Sequence, residues 1–516
     1  MIPLQAYATL LDAQDSVAVL KRPILAGTEL EGPAGTTTLV RNNIPAGHKV
    51  AVRPIALGER VIKYGQFIGR ASQNIATGDH VHSHNLIAGE PPPHAQGPHT
   101  PERLPSHEKD SDRRFQGFIR AGGQVGTRNF LAVISSVNCS ASVSRYVAEA
   151  FRNPDLQRDF PNVDGVLAFT HKSGCAIDPG EPTQLLQRVL AGIARHPNIG
   201  GYLLIGLGCE VNQISSLVSN QRLDRLRSGE LPPTLLNIQQ TGGVRKTVDA
   251  GIAAVRTLLP IANNHRRSSQ PASKLVMALN CGGSDGNSGC TANPALGWAS
   301  DELVRQGGTS VLAETPEIYG AEHLLAQRAV SSEVSAKLLS TVRWWEEHVS
   351  RHGTTIDNNP SFGNRQGGLT TIYEKSLGAI AKGGHAPLSA VYRYAEPITS
   401  SGFCFMDTPG YDPVSMTGLV AGGCNVAVFT TGRGSAYGCK PTPCLKVASN
   451  TLLYHHQEED MDLNAGTILD GTGTVESVGR EIFERVLSMA SGERTKSELS
   501  GLGDEEFAPW ILGPTL

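Results

Sequence analysis

Residues 88–112 of this 516-residue chain read AGEPPPHAQGPHTPERLPSHEKDSD. Three consecutive prolines stiffen the stretch and the rest is too polar to bury, so it is expected to be a linker. The chain on either side follows different rules. Before it, in 1–87, short apolar runs at 16–20, 49–52 and 60–64 are broken by Pro-Ala-Gly and Leu-Gly turns, the pattern of a small β-rich module. After it, strand-like runs at 129–137, 164–170 and 202–206 alternate with amphipathic periods at 143–151 and 183–194. That alternation predicts an α/β body with mostly parallel sheets covered by helices. The polar stretch 263–273 is a second boundary, and strand-like runs at 275–279, 309–313, 403–406 and 425–430 make the last part α/β again. The expected domains are therefore 1–87, a linker 88–112, 113–265 and 274–516.

Composition narrows the class. Hydrophobic residues make up 39% of the chain and charged residues 18%, with a net charge of -3, which suits a globular protein and gives nucleic acid no basic run to bind. No apolar stretch reaches membrane-spanning length, and the first residues lack the plan of a signal peptide, so a cytoplasmic protein without membrane contact is expected. Nine cysteines, an odd number, do not resemble a secreted disulfide framework, and reduced thiols are expected. The 57 glycines imply many tight turns and close backbone approaches.

Two kinds of residue cluster carry chemistry. His80-Val-His82-Ser-His84 places three imidazoles at alternate positions, hence on one face if the stretch is a strand. Three in register point to a metal or substrate site, the alternative being a polar strand end facing water. Cys281-Gly-Gly-Ser-Asp-Gly286 follows an apolar run and leads through Thr291-Ala-Asn-Pro294 into a helix. Such a turn offers backbone N–H groups to an anion, with Ser284 and Asp285 available for hydroxyls. Gly206-Leu-Gly-Cys209 and His171-Lys-Ser-Gly-Cys175 repeat the logic. Cys139, Cys175, Cys209 and Cys281 would each stand at a strand's carboxyl end, where ligands of open α/β sheets bind. Each alone reads as a small buried hydrophobe; as four they make thiolate ligation of iron a rival to the histidines.

The same motifs resemble those of the altronate and galactarate dehydratase family. Gly126-Thr-Arg128-Asn129, His171-x-x-Gly-Cys175, Gly206-Leu-Gly-Cys209-Glu210, Cys281-Gly-Gly-Ser-Asp-Gly286 and Pro409-Gly-Tyr-Asp412-Pro carry the likeness. So do Phe362-Gly-Asn364, Glu374-Lys375-Ser-Leu-Gly378, Phe429-Thr-Thr-Gly-Arg433-Gly and Asn464-Ala-Gly466, spread over nearly the whole chain. The resemblance implies an N-terminal SAF-type β-clip domain on a larger α/β body, iron-dependent activity, and dehydration of a hexonic or hexaric acid to a 2-keto-3-deoxy acid. It also implies a small-molecule sugar-acid substrate, and a homo-oligomer, taken as a dimer, is expected. The His-Val-His-x-His-Asn segment leans toward the altronate type. Cys290 and Lys172-Ser173 depart from the family's usual residues, which leaves the choice of sugar acid open.

Removing the proton beside a carboxylate and expelling the 3-hydroxyl requires a stabilised enediolate, which a divalent ion can provide. For that ion, Fe2+ with Mn2+ as a substitute, the expected ligands are His48, His82 and His84. The competing site is the four-cysteine set holding an iron-sulfur cluster. His171 and Lys63 are the expected acid or base, and Arg128, Lys375, Arg433 and Lys446 the cations expected to hold the substrate carboxylate. Two other functions stay open: a sulfo-lyase acting on sulfolactate, and a non-catalytic sugar-acid sensor.

Overall fold

The computed structural model of the protein describes residues 2–31, 37–90, 112–224 and 232–512, so the stretch read as a linker lies, apart from its ends, outside the described residues. The N-terminal module is built from short strands in three small sheets. Ala8–Thr9, Val17–Leu20, Lys49–Ala51 and His80–Val81 form one, and Leu86–Ile87, Gln66–Ala71 and Arg60–Lys63 another, both antiparallel. Ile2–Pro3, Glu29–Glu31 and Thr37–Leu39 form the third.

The middle part is a parallel four-stranded sheet in the order Gly165–Phe169, Phe130–Ser135, Ile199–Gly206, Thr234–Asn237. Successive side chains of a strand point to opposite faces, and the packing follows that rule. Leu131, Val133, Leu203 and Ile205 pack with the helices Ala141–Glu149 and Val244–Asn263. Ala132, Ile134 and Leu204 pack with Glu181–Ala194 on the other face, where the helix Asp412–Gly422 of the last part joins the same core.

The last part holds a seven-stranded parallel sheet. Its order is Leu388–Tyr392, Gly402–Met406, Thr309–Leu312, Val276–Cys281, Val426–Thr431, Cys444–Ala448, Leu463–Asn464. Strands so buried on both faces lose the alternation that sequence reading depends on. Val426–Thr431 and Cys444–Ala448 are buried at every position. The stretch 263–273, read as a polar boundary, contains the strand Arg267–Pro271, which pairs antiparallel with Arg114–Ile119. Serines and arginines there are tolerated because the strand is half-exposed. No helix among the described residues is long and apolar enough to cross a membrane.

Candidate active site

The carboxyl edge of the seven-stranded sheet is where the small domain docks. The loop Gly282–Gly286, which follows the central strand, is the hub. A Cβ on Gly286 would stand 1.9 Å from the Gly47 carbonyl oxygen, so only glycine lets the His48 turn approach. On the other side, a Cβ on Gly282 would stand 2.1 Å from Asp412 Oδ2. Arg433 donates its backbone N–H to the Gly283 carbonyl at 2.8 Å, and its exposed side chain runs beside Gly367. Asp412, Arg433 and the His48 turn thus surround one glycine loop.

The histidines converge by a different route from the one the alternation predicts. The strand is only His80–Val81; residues 82–85 turn, closed by Asn85, whose Oδ1 accepts from the His82 N–H and whose Nδ2 donates to the His80 carbonyl. His80, absent from the ligand set expected from sequence, is the centre of the cluster. Its ring lies 5.1 Å from His48, 5.5 Å from His82 and 5.3 Å from His84. His48 is buried rather than exposed in its turn; its Nδ1 is 3.0 Å from His80 Nε2, and its Nε2 is 3.0 Å from the Gln366 carbonyl oxygen. His82 Nε2 lies 2.9 Å from the Arg365 carbonyl oxygen and its Nδ1 accepts from the Ser83 hydroxyl. Burial pushes His80 down to about 3 and His82 to about 4, reinforced for His80 by the neighbouring imidazoles, so both rings are neutral at pH 7.

Beneath this face lies a buried ion pair of unusual composition. Lys49 and Lys63, from the small domain, both donate to Glu374 at 2.8 Å, all three side chains having no exposure. Burial alone would raise Glu374, but two ammonium groups outweigh it and hold the carboxyl well below its ordinary range. Burial alone would lower Lys63, yet Glu374 holds it above its ordinary value. Lys63, expected as acid or base, is therefore a permanently charged docking residue.

A second buried group sits under the central strand. Lys382 Nζ donates to Cys281 Sγ at 2.7 Å and is 3.6 Å from Glu314; Lys375 Nζ donates to Glu317 at 2.6 Å and to Asn359 at 2.9 Å. Cys281, Glu314 and Glu317 are, among the described residues, the one set of three His, Cys, Asp or Glu side chains whose ligand atoms all lie within 4.8 Å of one another. The Lys382 ammonium already occupies the sulfur's neighbourhood, and burial pushes the Cys281 thiol up to about 12 despite Lys382. Asp412 belongs to the rim of this group: burial and then the Glu317 carboxylate raise it to about 6.

Several expected site residues have other work. Arg128 is buried and holds Glu498 with two hydrogen bonds, at 2.7 and 2.8 Å, and donates further to the carbonyls of Thr127, Met489 and Glu493. Lys446 is buried in its strand and donates to the Ser435 carbonyl. Lys375 is committed to Glu317. Ser284 is buried, its carbonyl accepting from Asn364. Asp285 accepts from the Ser288 amide and hydroxyl, both at 2.7 Å, and from Ser449 and Asn450, so it stitches loops instead of waiting for hydroxyls. His171 spends both ring nitrogens locally, Nε2 on the Ser135 carbonyl at 3.0 Å and Nδ1 on the Ser173 N–H at 3.2 Å. Burial pushes it down to about 4, so it is a neutral structural imidazole. Cys139, Cys175 and Cys209 lie together at the carboxyl edge of the other sheet, apart from Cys281's partners, so the four-cysteine set divides.

Comparison with known proteins agrees in all three parts. Residues 6–88 match the altronate/galactarate dehydratase SAF domain, 117–263 the D-galactarate dehydratase/altronate hydrolase second domain, and 272–515 the D-galactarate/altronate dehydratase C-terminal domain. An altronate dehydratase of Bacillus subtilis is 34% identical over 98% of both chains. A galactarate dehydratase (L-threo-forming) of Escherichia coli is 37% identical over 95% of this chain and 94% of its own. The β subunit of a (2R)-sulfolactate sulfo-lyase of Chromohalobacter salexigens is 31% identical over 77% of this chain and 96% of its own.

Proposed function

Because the chain belongs to the altronate and galactarate dehydratase family, we propose that it is a hydro-lyase that converts a hexonic or hexaric acid to its 2-keto-3-deoxy acid. The observation that carries the reading to residues is the pairing of Asp412 and Arg433 across the Gly282–Gly283 turn, one a carboxyl near neutrality, the other an exposed guanidinium.

Arg433 binds the substrate carboxylate, for which its planar fork is suited. Asp412, ionised above about pH 6, takes the C2 proton; its raised basicity is what a general base at neutral pH needs. The electron pair left at C2 expels the 3-hydroxyl, which takes back the proton held by Asp412 and leaves as water, and the resulting enol tautomerises to the 2-keto acid.

The donor set at the small domain fits a divalent ion. His48 and His80 are held below their ordinary value by burial and so are neutral at pH 7, the liganding form, and His48 Nδ1 stands 3.0 Å from His80 Nε2. His48 and His80 would hold it; His84 has its ring 5.3 Å from that of His80 but brings no third ligand atom within 4.8 Å of both, and His82 is spent on Arg365 and Ser83. Such an ion, Fe2+ in this reading, supplies Lewis-acid stabilisation of the developing enediolate.

The test is a panel of hexonates and hexarates incubated anaerobically with ferrous iron and scored for 2-keto-3-deoxy acid. Turnover of at least one is expected. Release of sulfite from sulfolactate with every sugar acid untouched overturns the reading, as does the absence of any turnover.

A further inference from the structure

Six of the nine cysteines are buried, as free cysteines usually are; Cys139, Cys175 and Cys209 are exposed. The three exposed ones also share one edge of a sheet. Each follows a neighbouring strand of the four-stranded sheet, Phe130–Ser135, Gly165–Phe169 and Ile199–Gly206, at its carboxyl end. The Cys139 thiol lies within electrostatic reach of both Cys175 and Cys209.

The loops that carry them are sewn together by backbone. Asn138 N–H donates to the Ser173 carbonyl at 2.9 Å, Val211 N–H to the Cys175 carbonyl at 3.1 Å, and Asn212 N–H to the Gly174 carbonyl at 3.1 Å. Asn212 Nδ2 donates to the Ser136 carbonyl and Ser136 Oγ to Glu210 Oε1, each at 2.8 Å. Glu210 also accepts from the N–H groups of Leu207 and Gly208, which fixes the turn presenting Cys209. Gln239 Nε2 donates to Cys209 Sγ at 3.3 Å, the kind of hydrogen bond that stabilises a thiolate. Three thiols are thus preorganised by a frame that has no need of them for packing.

We infer that Cys139, Cys175 and Cys209 form a three-thiolate site for an iron-sulfur cluster, with one iron left open to an oxygen ligand. Spacing decides between a cluster and a single ion. Three thiolates about 2.3 Å from one tetrahedral ion stand about 3.8 Å apart. These three sulfurs do not all lie within 4.8 Å of one another, wider than one ion requires and with room for a polynuclear centre between them. The site is independent of the substrate reading and of the histidine cluster.

The full-length chain, reconstituted anaerobically with ferrous iron and sulfide and then desalted, tests this by its visible spectrum and by iron and sulfide content. About four irons and four sulfides per chain are expected, with a broad brown absorption. Cys139→Ser, Cys175→Ser and Cys209→Ser, all at exposed positions, should each lose at least half of the chromophore, while Cys404→Ala, at a buried cysteine elsewhere, keeps it. Three results overturn the inference: a wild-type chain that takes up no sulfide, one that binds a single zinc in place of the cluster or forms a Cys139–Cys175 disulfide and no cluster, or a chromophore undiminished in all three serine variants.

Discussion

The two parallel sheets end in edges of opposite character. At the four-stranded sheet the residues after the strands are exposed thiols on a stitched frame; at the seven-stranded sheet they are charged groups driven inside. The difference is the small domain, which lies on the larger sheet's edge and brings Lys49 and Lys63 onto Glu374. A docked domain removes water, and water-free charges must pair or shift. The edge without that cover keeps its reactive groups accessible.

Removing the partner that holds the covered edge together should have the largest effect. Glu374→Ala leaves two buried ammonium groups without a carboxylate and is expected to cost about 4 kcal/mol of unfolding free energy, read by urea denaturation. Wild-type stability in that variant would mean the domains do not depend on this pair. Next comes acid sensitivity from imidazoles buried in neutral form. His171 and His196 are each pushed from 6.5 down to about 4 by burial. A lowered imidazole contributes its full stability above pH 6.5 and loses it as pH falls toward 4, so each should withdraw about 3 kcal/mol over that window. His171→Gln should flatten part of that slope in pH-dependent denaturation, with turnover at pH 7 nearly unchanged; a large loss of turnover would restore His171 as an acid or base.

The remaining two effects concern chemistry at the covered edge. Asp412→Asn should lower kcat about 100-fold. It should also abolish the rise of activity through pH 6 that the wild type is expected to show, since the carboxyl must be ionised to act. An unchanged pH profile would remove it from the reaction. Arg433→Ala should raise KM about tenfold with stability unchanged, because the side chain is exposed, and a destabilised variant would show it to be structural.

The strands at 130–135, 165–169 and 402–406 were legible because apolar runs bounded by glycine or polar turns are local facts. Cys444–Ala448 was not, since Lys446 interrupts its apolar pattern and only the Ser435 carbonyl makes that lysine tolerable inside. The histidine ladder was legible as a cluster but not as geometry. Its strand stops at Val81, and the turn that follows still brings the rings together. Glu374, Glu317 and Asp412 were passed over as site residues because a carboxylate in a sequence looks solvated until its neighbours are known. Arg128 drew notice for its motif and turned out to be a clamp on Glu498.

By itself the sequence determined the three-part organisation, the family, and the fact that histidines and cysteines end strands where α/β proteins bind ligands. Those are properties of local pattern, and local pattern is written residue by residue. Only the tertiary structure decided which of those residues are free. Charge state and accessibility depend on what packs within a few ångströms, and here the decisive neighbours stand some 300 positions away: Glu374 for Lys63, and Gln366 for His48.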